Sequence, residues 1–78
     1  MEGDWDRRID ALGLLCPLPV LRAARELRAM APGEVLCIEA SDPAAWVDMP
    51  HFCAESGHHL LAAQDVGGML RFLVRRGG

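Results

Sequence analysis

Cys16-Pro17-Leu18-Pro19 sets a single thiol ahead of two prolines one residue apart, just after a glycine loop at Gly13. A residue before proline is pushed into extended backbone, the conformation of a helix N-cap. A proline at the first helical position gives up only a donor that has no partner there. The spacing therefore predicts Cys16 as the cap of a helix that starts at Pro17. Its sulfur would sit in the positive end of the helix dipole, within reach of the Leu18 N–H, and both effects favour thiolate. Pro19 falls at the third helical position, where it removes the donor a cap most readily engages, and the two prolines together stiffen the junction. No His or Lys is adjacent and no second cysteine lies near enough to resolve a disulfide, which disfavours thioredoxin-like cycling. A lone activated thiolate can still accept a sulfur atom as a persulfide and surrender it to another nucleophile, with a partner's active site supplying the rest.

The elements that hold this cysteine follow from period and punctuation. Residues 7–12 alternate, with Ile9 and Ala11 against Arg8 and Asp10, and predict a short edge strand. From Pro17 to Ala31, Val20, Ala24, Leu27 and Ala31 recur at helical spacing, and Leu21 and Met30 widen the stripe. Pro32-Gly33 ends that helix. The unbroken run Val35-Leu36-Cys37-Ile38 within residues 34–40 predicts a strand paired on both edges. Asp42-Pro43 signals a helix start, but Pro50 predicts a break, giving one turn through Trp46 and Val47 and then a short helix from Met49 to Ser56 capped by Gly57. Strands at His59–Gln64 and Met69–Arg75 flank a Gly67-Gly68 turn. The order is β-α-β-α-β-β in one domain spanning residues 1–78. Its sheet contains parallel pairs, and both helices lie on one face, making an α/β two-layer sandwich whose other face stays wet or meets a partner.

Composition bounds the partners. The chain has 78 residues, 51% of them hydrophobic, and a mean hydropathy of +0.13. A core can form, but a thin one, burying about 60–65% of the unfolded surface. Eight arginines against eleven carboxylates give a net charge of −3, the wrong sign for holding a phosphate backbone. No apolar run approaches a bilayer span, and the start (Met1, Glu2, Gly3, Asp4) is acidic where a signal peptide is basic, so the expected compartment is the cytoplasm, without membrane contact. Three cysteines with no Cys-x-x-Cys pair fit that reducing setting.

Among the remaining residues, Cys37 and Cys53 fall on apolar elements and are expected as core. His51, Cys53, His58 and His59 lack the paired short spacings of a zinc site, so no metal and no cofactor are predicted. His58 and His59 are expected at a turn and a strand start, one of them tied to a backbone carbonyl. Arg22, Arg25 and Arg28 form a solvated helix face that can also steer an acidic docking surface. Trp5 and Trp46 are expected at the core edge. The closing Gly77-Gly78 suggests ubiquitin-like carriers, which load sulfur as a terminal thiocarboxylate. Those begin with a β-hairpin, however, whereas here a helix follows the first strand, and a flexible tail accounts for both glycines.

The run Asp10-Ala-Leu-Gly13-Leu-Leu-Cys16-Pro17-Leu18-Pro19 resembles the Asp-x-x-Gly-x-x-Cys-Pro-x-Pro pattern of the TusA (SirA-like) sulfur-carrier family. Similar features continue through Pro32-Gly33-Glu34, Asp42-Pro43-Ala44, Asp48-Met49-Pro50, Gly57-His58 and Arg75-Arg76-Gly77-Gly78. Leu18 is apolar where many members carry a charged or polar residue. The resemblance implies a mixed four-stranded sheet and a persulfide relay. Cys16 would receive sulfane sulfur from a cysteine desulfurase or a rhodanese-type donor and pass it to an acceptor protein, as in 2-thiolation of the tRNA wobble uridine. Relatives serving sulfur oxidation, molybdenum-cofactor supply or selenium metabolism give further destinations. Gly13 would make the tight turn, and Asp10 would brace the loop or touch a partner. Free cycling between partners implies a monomer. The alternative from another class is a non-catalytic module that binds protein or RNA through the open sheet face or the Arg-bearing helix.

Overall fold

Alternation sets the first strand, β1 (Arg7–Ala11), with Ile9 and Ala11 turned to the core. The computed structural model describes residues 4–78; the acidic start at Met1–Gly3 lies outside the described residues. After β1 come α1 (Leu18–Arg28), β2 (Val35–Ala40), α2 (Ala45–Ser56), β3 (His59–Val66) and β4 (Met69–Arg75). The sheet order is β1-β2-β4-β3, with β1 parallel to β2 and the other pairs antiparallel. This is the mixed four-stranded sheet expected, with β2 in the interior and β1 at an edge.

Both helices pack on one face. Leu36, Ile38 and Ala40 of β2 and Leu70, Phe72 and Val74 of β4 join Ala23 and Leu27 of α1 and Ala45, Met49 and Cys53 of α2 in one buried cluster. Two local expectations need correction. Leu27 and Met30 are buried as expected and Val20 packs against the core, but Pro19 and Ala23 complete the buried stripe of α1 in place of Ala24; Leu21 is exposed and Ala31 lies beyond the helix. Helical side chains lean back over the preceding turn, so the apolar positions read from the sequence include flank as well as seam. The second correction is that α2 runs unbroken through Pro50. A proline inside a helix costs about 3 kcal/mol. Ala45, Met49 and Cys53, spaced by four, bury one continuous stripe, and fully burying Met49 alone contributes about 1.5–3 kcal/mol. Gly57, with φ 77°, ends the helix as expected.

The face without helices carries a charge cluster. Glu39, only 5% exposed, accepts hydrogen bonds from Arg8 at 3.0 Å and from Arg71 at 3.0 Å. Burial pushes its carboxyl up, but the two guanidiniums outweigh that and hold it below the ordinary carboxylate range. The Arg71 guanidinium lies 5.6 Å from the centre of the Trp5 ring, a cation–π distance. Cys37 is fully buried on this side of the sheet, opposite Arg8 in register and outside the main core cluster. Trp5 therefore lies beside Arg71, while Trp46 packs edge-on to Phe72 at 5.8 Å.

The C-terminus is tied down, which corrects the expectation of a loose tail. Arg76 exchanges backbone hydrogen bonds with Gly33 and Glu34, and the Gly77 N–H donates to Nδ1 of His58 at 3.0 Å. His58 thus accepts from a backbone amide, where the sequence suggested a bond to a carbonyl. Accepting at Nδ1 requires that nitrogen to be unprotonated. Loss of hydration, then the charges of Arg76 and His59, lower the His58 pKa below its ordinary 6.5. A base whose pKa is depressed by folding stabilises the fold fully above its unfolded value. That stability is lost as pH falls through 6.5 toward the folded value. Thermal melts between pH 7.5 and 5.5 should show the midpoint falling with acidification, and His58→Gln should flatten that dependence.

Candidate functional site

The loop from β1 to α1 is stapled from below. Asp10 Oδ1 accepts the Leu12 N–H at 2.9 Å, and Gly13, with φ 80°, turns the chain and donates its N–H to Ser41 Oγ at 2.8 Å. Asp10 therefore braces the loop. Leu14 packs against the core from inside it. Asp42 joins the two helix starts: Oδ2 accepts the Cys16 N–H at 2.8 Å and Oδ1 accepts the Ala44 N–H at 3.0 Å. These two bonds hold its carboxyl below the ordinary range.

Cys16 is exposed, but it does not cap α1. Pro17 occupies the N-cap position and Pro19 the second helical position, and the Cys16–Pro17 peptide is cis. The Leu18 N–H donates to the Leu15 carbonyl at 2.8 Å, so it is not offered to the sulfur, and no side chain caps the helix. The expected thiolate is corrected as well. The neighbouring Asp48 carboxylate, then loss of hydration and the charge of Asp42, hold the thiol's pKa above the ordinary 9.0. The Leu18 N–H is engaged elsewhere, and the charges of Asp48 and Asp42 favour the neutral thiol.

A cleft of about 290 Å³ opens beside the sulfur. Cys16, Pro17 and Val20 form one wall; Asp48, His51, Phe52, Glu55 and Ser56 form the other. His51 Nε2 lies 3.7 Å from Glu55 Oε2. The α2 wall was not identified from the sequence. Positions 48, 51, 52 and 55 share one helical face, a signal that was present but was split by the predicted break at Pro50. Among the described residues no cluster of three potential metal ligands forms.

Apart from Asp42, the exposed residues flanking Cys16 in the sequence are apolar. Leu15 is 70% exposed, and Leu12, Leu18 and Leu21 are exposed too. Arg22, Arg25 and Arg28 continue along α1, all exposed, with Arg25 and Arg28 in its last turn. Arg28 is about 15 Å of helix rise beyond Leu18, too far along to sit at the sulfur. Arg22 lies one turn from Leu18. No helix of the described chain is long and apolar enough to cross a membrane.

Fold and site together define a small α/β sandwich that displays one thiol at a braced strand-to-helix junction. Residues 7–76 match the family described as Sulfurtransferase TusA. The chain is 41% identical over 73 residues to the sulfur carrier protein TusA of Allochromatium vinosum, covering 94% of this chain and 96% of that one. Its fold matches the crystal structure of a SirA-like protein from Desulfitobacterium hafniense with a TM-score of 0.83, at 23% identity, over 94% of this chain and all of the other. The chain belongs to the TusA family.

Proposed function

We propose that this chain is a sulfur carrier in which Cys16 takes up a sulfane sulfur atom as a persulfide and passes it to an acceptor protein. The observation that carries the reading is the burial contrast among the three free cysteines: Cys16 is exposed on a braced loop, whereas Cys37 and Cys53 are buried. The donor is a cysteine desulfurase or a rhodanese-type protein, and the acceptor stands on a route such as 2-thiolation of tRNA. Asp10 and Gly13 shape the loop; Pro17 and Pro19 stiffen its exit into α1 and so lower the ordering cost of docking. Leu15 and Leu18 supply an apolar contact beside the sulfur, and Arg22 and Arg25 steer an acidic partner surface. The chain works as a cytoplasmic monomer and sulfurtransferase without a cofactor.

The test is sulfur loading. The protein is incubated with cysteine and a desulfurase, and its intact mass is read before and after a thiol reductant. One added sulfur, removed by the reductant and transferable to a second protein thiol, is expected. A chain that binds the desulfurase yet gains no reducible sulfur is a binding module instead.

A further inference from the structure

Ser41 and the Asp42-Pro43-Ala44 run follow β2 directly, and the parallel register of Ala11 with Ala40 sets them beside the loop that follows β1. Within that loop the backbone closes two turns, Leu14 N–H to the Ala11 carbonyl at 3.2 Å and Leu18 N–H to the Leu15 carbonyl at 2.8 Å. The Gly13 and Cys16 amides bond across to the other loop instead, each at 2.8 Å, one to Ser41 Oγ and one to Asp42 Oδ2. Asp42 is itself held, because its Oδ1 accepts the Ala44 N–H at 3.0 Å at the entrance to α2. Two adjacent side chains thus pin the loop at Gly13 and at Cys16, and Leu14 between them packs against the core. A hydrogen bond to a carboxylate is the stronger kind, so Asp42 is the firmer pin. Cysteine has one side-chain torsion to its sulfur, so fixing the Cys16 backbone leaves the sulfur only the staggered positions of that torsion.

We propose that Ser41 and Asp42 are positioning residues for sulfur transfer: they hold the Cys16 backbone so that a docked donor protein meets the sulfur in line. This rests on the carrier reading. In the transfer the Cys16 thiolate, its proton already given to solvent, attacks the outer sulfur of the donor persulfide, donor–S–S–H. A Cys16 S–S bond forms as the donor S–S bond breaks, and that bond's electron pair leaves with the donor sulfur as a thiolate. The sum is thiolate plus persulfide giving persulfide plus thiolate, with no outside oxidant or reductant. The three sulfurs must stand nearly in a row as the bonds exchange. A small persulfide can reach Cys16 along any open direction, whereas a docked protein brings its sulfur along the one path its interface allows. Placement of the loop therefore governs transfer from a protein far more than transfer from a small molecule. Both Asp42 oxygens face amides, so its part is placement and not proton transfer.

The closing experiment loads Cys16 from two donors, a desulfurase persulfide and cysteine persulfide, and follows the added sulfur by intact mass. The proteins are the wild type, Ser41→Ala, Ser41→Thr and Asp42→Asn; the asparagine oxygen can meet only one of the two N–H groups, and its NH2 faces the other. At saturating desulfurase, Ser41→Ala and Asp42→Asn should each load about tenfold more slowly, part of the hundredfold that a misplacement of about 1 Å costs. The half-saturating desulfurase concentration should not move, and loading from cysteine persulfide should change by about twofold at most, since no docked path constrains it. Ser41→Thr keeps the hydroxyl and should restore the wild-type rate. Asp42→Asn also removes a charge that disfavours the thiolate, which would speed loading from both donors, so a slowing confined to the desulfurase has the opposite sign to an ionisation effect. Amide hydrogen exchange should quicken at Gly13 in Ser41→Ala and at Cys16 in Asp42→Asn, with thermal melting as the check on folding. If Asp42→Asn does not fold, the Ser41 pair carries the test. Wild-type rates with the desulfurase, or an equal loss with both donors, overturn the proposal. If the wild type takes sulfur from neither donor, the carrier reading fails. Exchange at Gly13 and Cys16 then still decides whether these side chains hold the loop, and variants that exchange as slowly as the wild type overturn that as well.

Discussion

Cys16→Ser is expected to abolish sulfur loading completely, while single replacement of Cys37 or Cys53 leaves one reducible sulfur per chain. Access separates the three thiols: Cys16 is exposed, Cys37 and Cys53 are buried. Cys37 is fully buried on the Glu39 side of the sheet, and burial is the chief cause raising its pKa. Cys53 is 3% exposed in the core, its thiol pushed up to about 11 by burial. Neither presents its sulfur to another protein. The fold should survive the exchange at Cys16, because the contact that fixes its position is a backbone N–H to Asp42, which serine keeps. Surface substitutions of this kind change stability by about 0.5 kcal/mol or less. Alanine is the better replacement at Cys37 and Cys53, since a serine hydroxyl buried without a partner costs about 1–3 kcal/mol. Intact masses of the four proteins after desulfurase treatment decide the matter: an adduct persisting in Cys16→Ser would place the sulfur elsewhere.

Element order, the interior position of β2 and the prominence of Cys16 were legible because each rests on local pattern: alternation at Ile9 and Ala11, a proline pair beside a cysteine, a glycine pair between two strands. The acidic wall of the site was not, because Asp48 faces Cys16 only after β2 has brought α2 alongside α1. The ionisation expected for the sulfur was wrong in sign for the same reason: a helix terminus is visible in sequence, whereas a carboxylate 32 residues downstream becomes a neighbour only through the fold. Pro50 misled differently. Its local cost is real, and a buried stripe at Ala45, Met49 and Cys53 outweighs it. Glu39 is the converse case, a charge inside an apolar-looking strand whose partners, Arg8 and Arg71, come from strands on either side.

Phe72→Ala should produce the largest loss of stability of any single truncation here. Phe72 is the largest of the fully buried side chains; it lies on interior strand β4 opposite Ile38 on one side and Ala63 on the other, and it meets Trp46 of α2 edge-on. Removing a buried ring in such a setting costs about 3–5 kcal/mol, transfer and cavity together. A domain of this length has about 4–12 kcal/mol in all, at 0.05–0.15 kcal/mol per residue, so the variant should be partly unfolded at 37 °C. Denaturant titration should show the midpoint falling with the slope unchanged, the pattern of lost stability without a change in the surface exposed on unfolding. Phe72→Leu refills most of the space and should lose less. Two cysteines report the outcome separately. Cys53, sealed under α2 in the native protein, should become open to alkylation in Phe72→Ala as the core opens, at a rate that follows the measured drop in stability. Cys16 is already exposed in the native protein, so its reaction should change far less than that of Cys53. A Phe72→Ala protein that keeps Cys53 protected and melts with the wild type would mean that α2, and with it the Asp48 wall of the cleft, is held on the sheet by something other than this core.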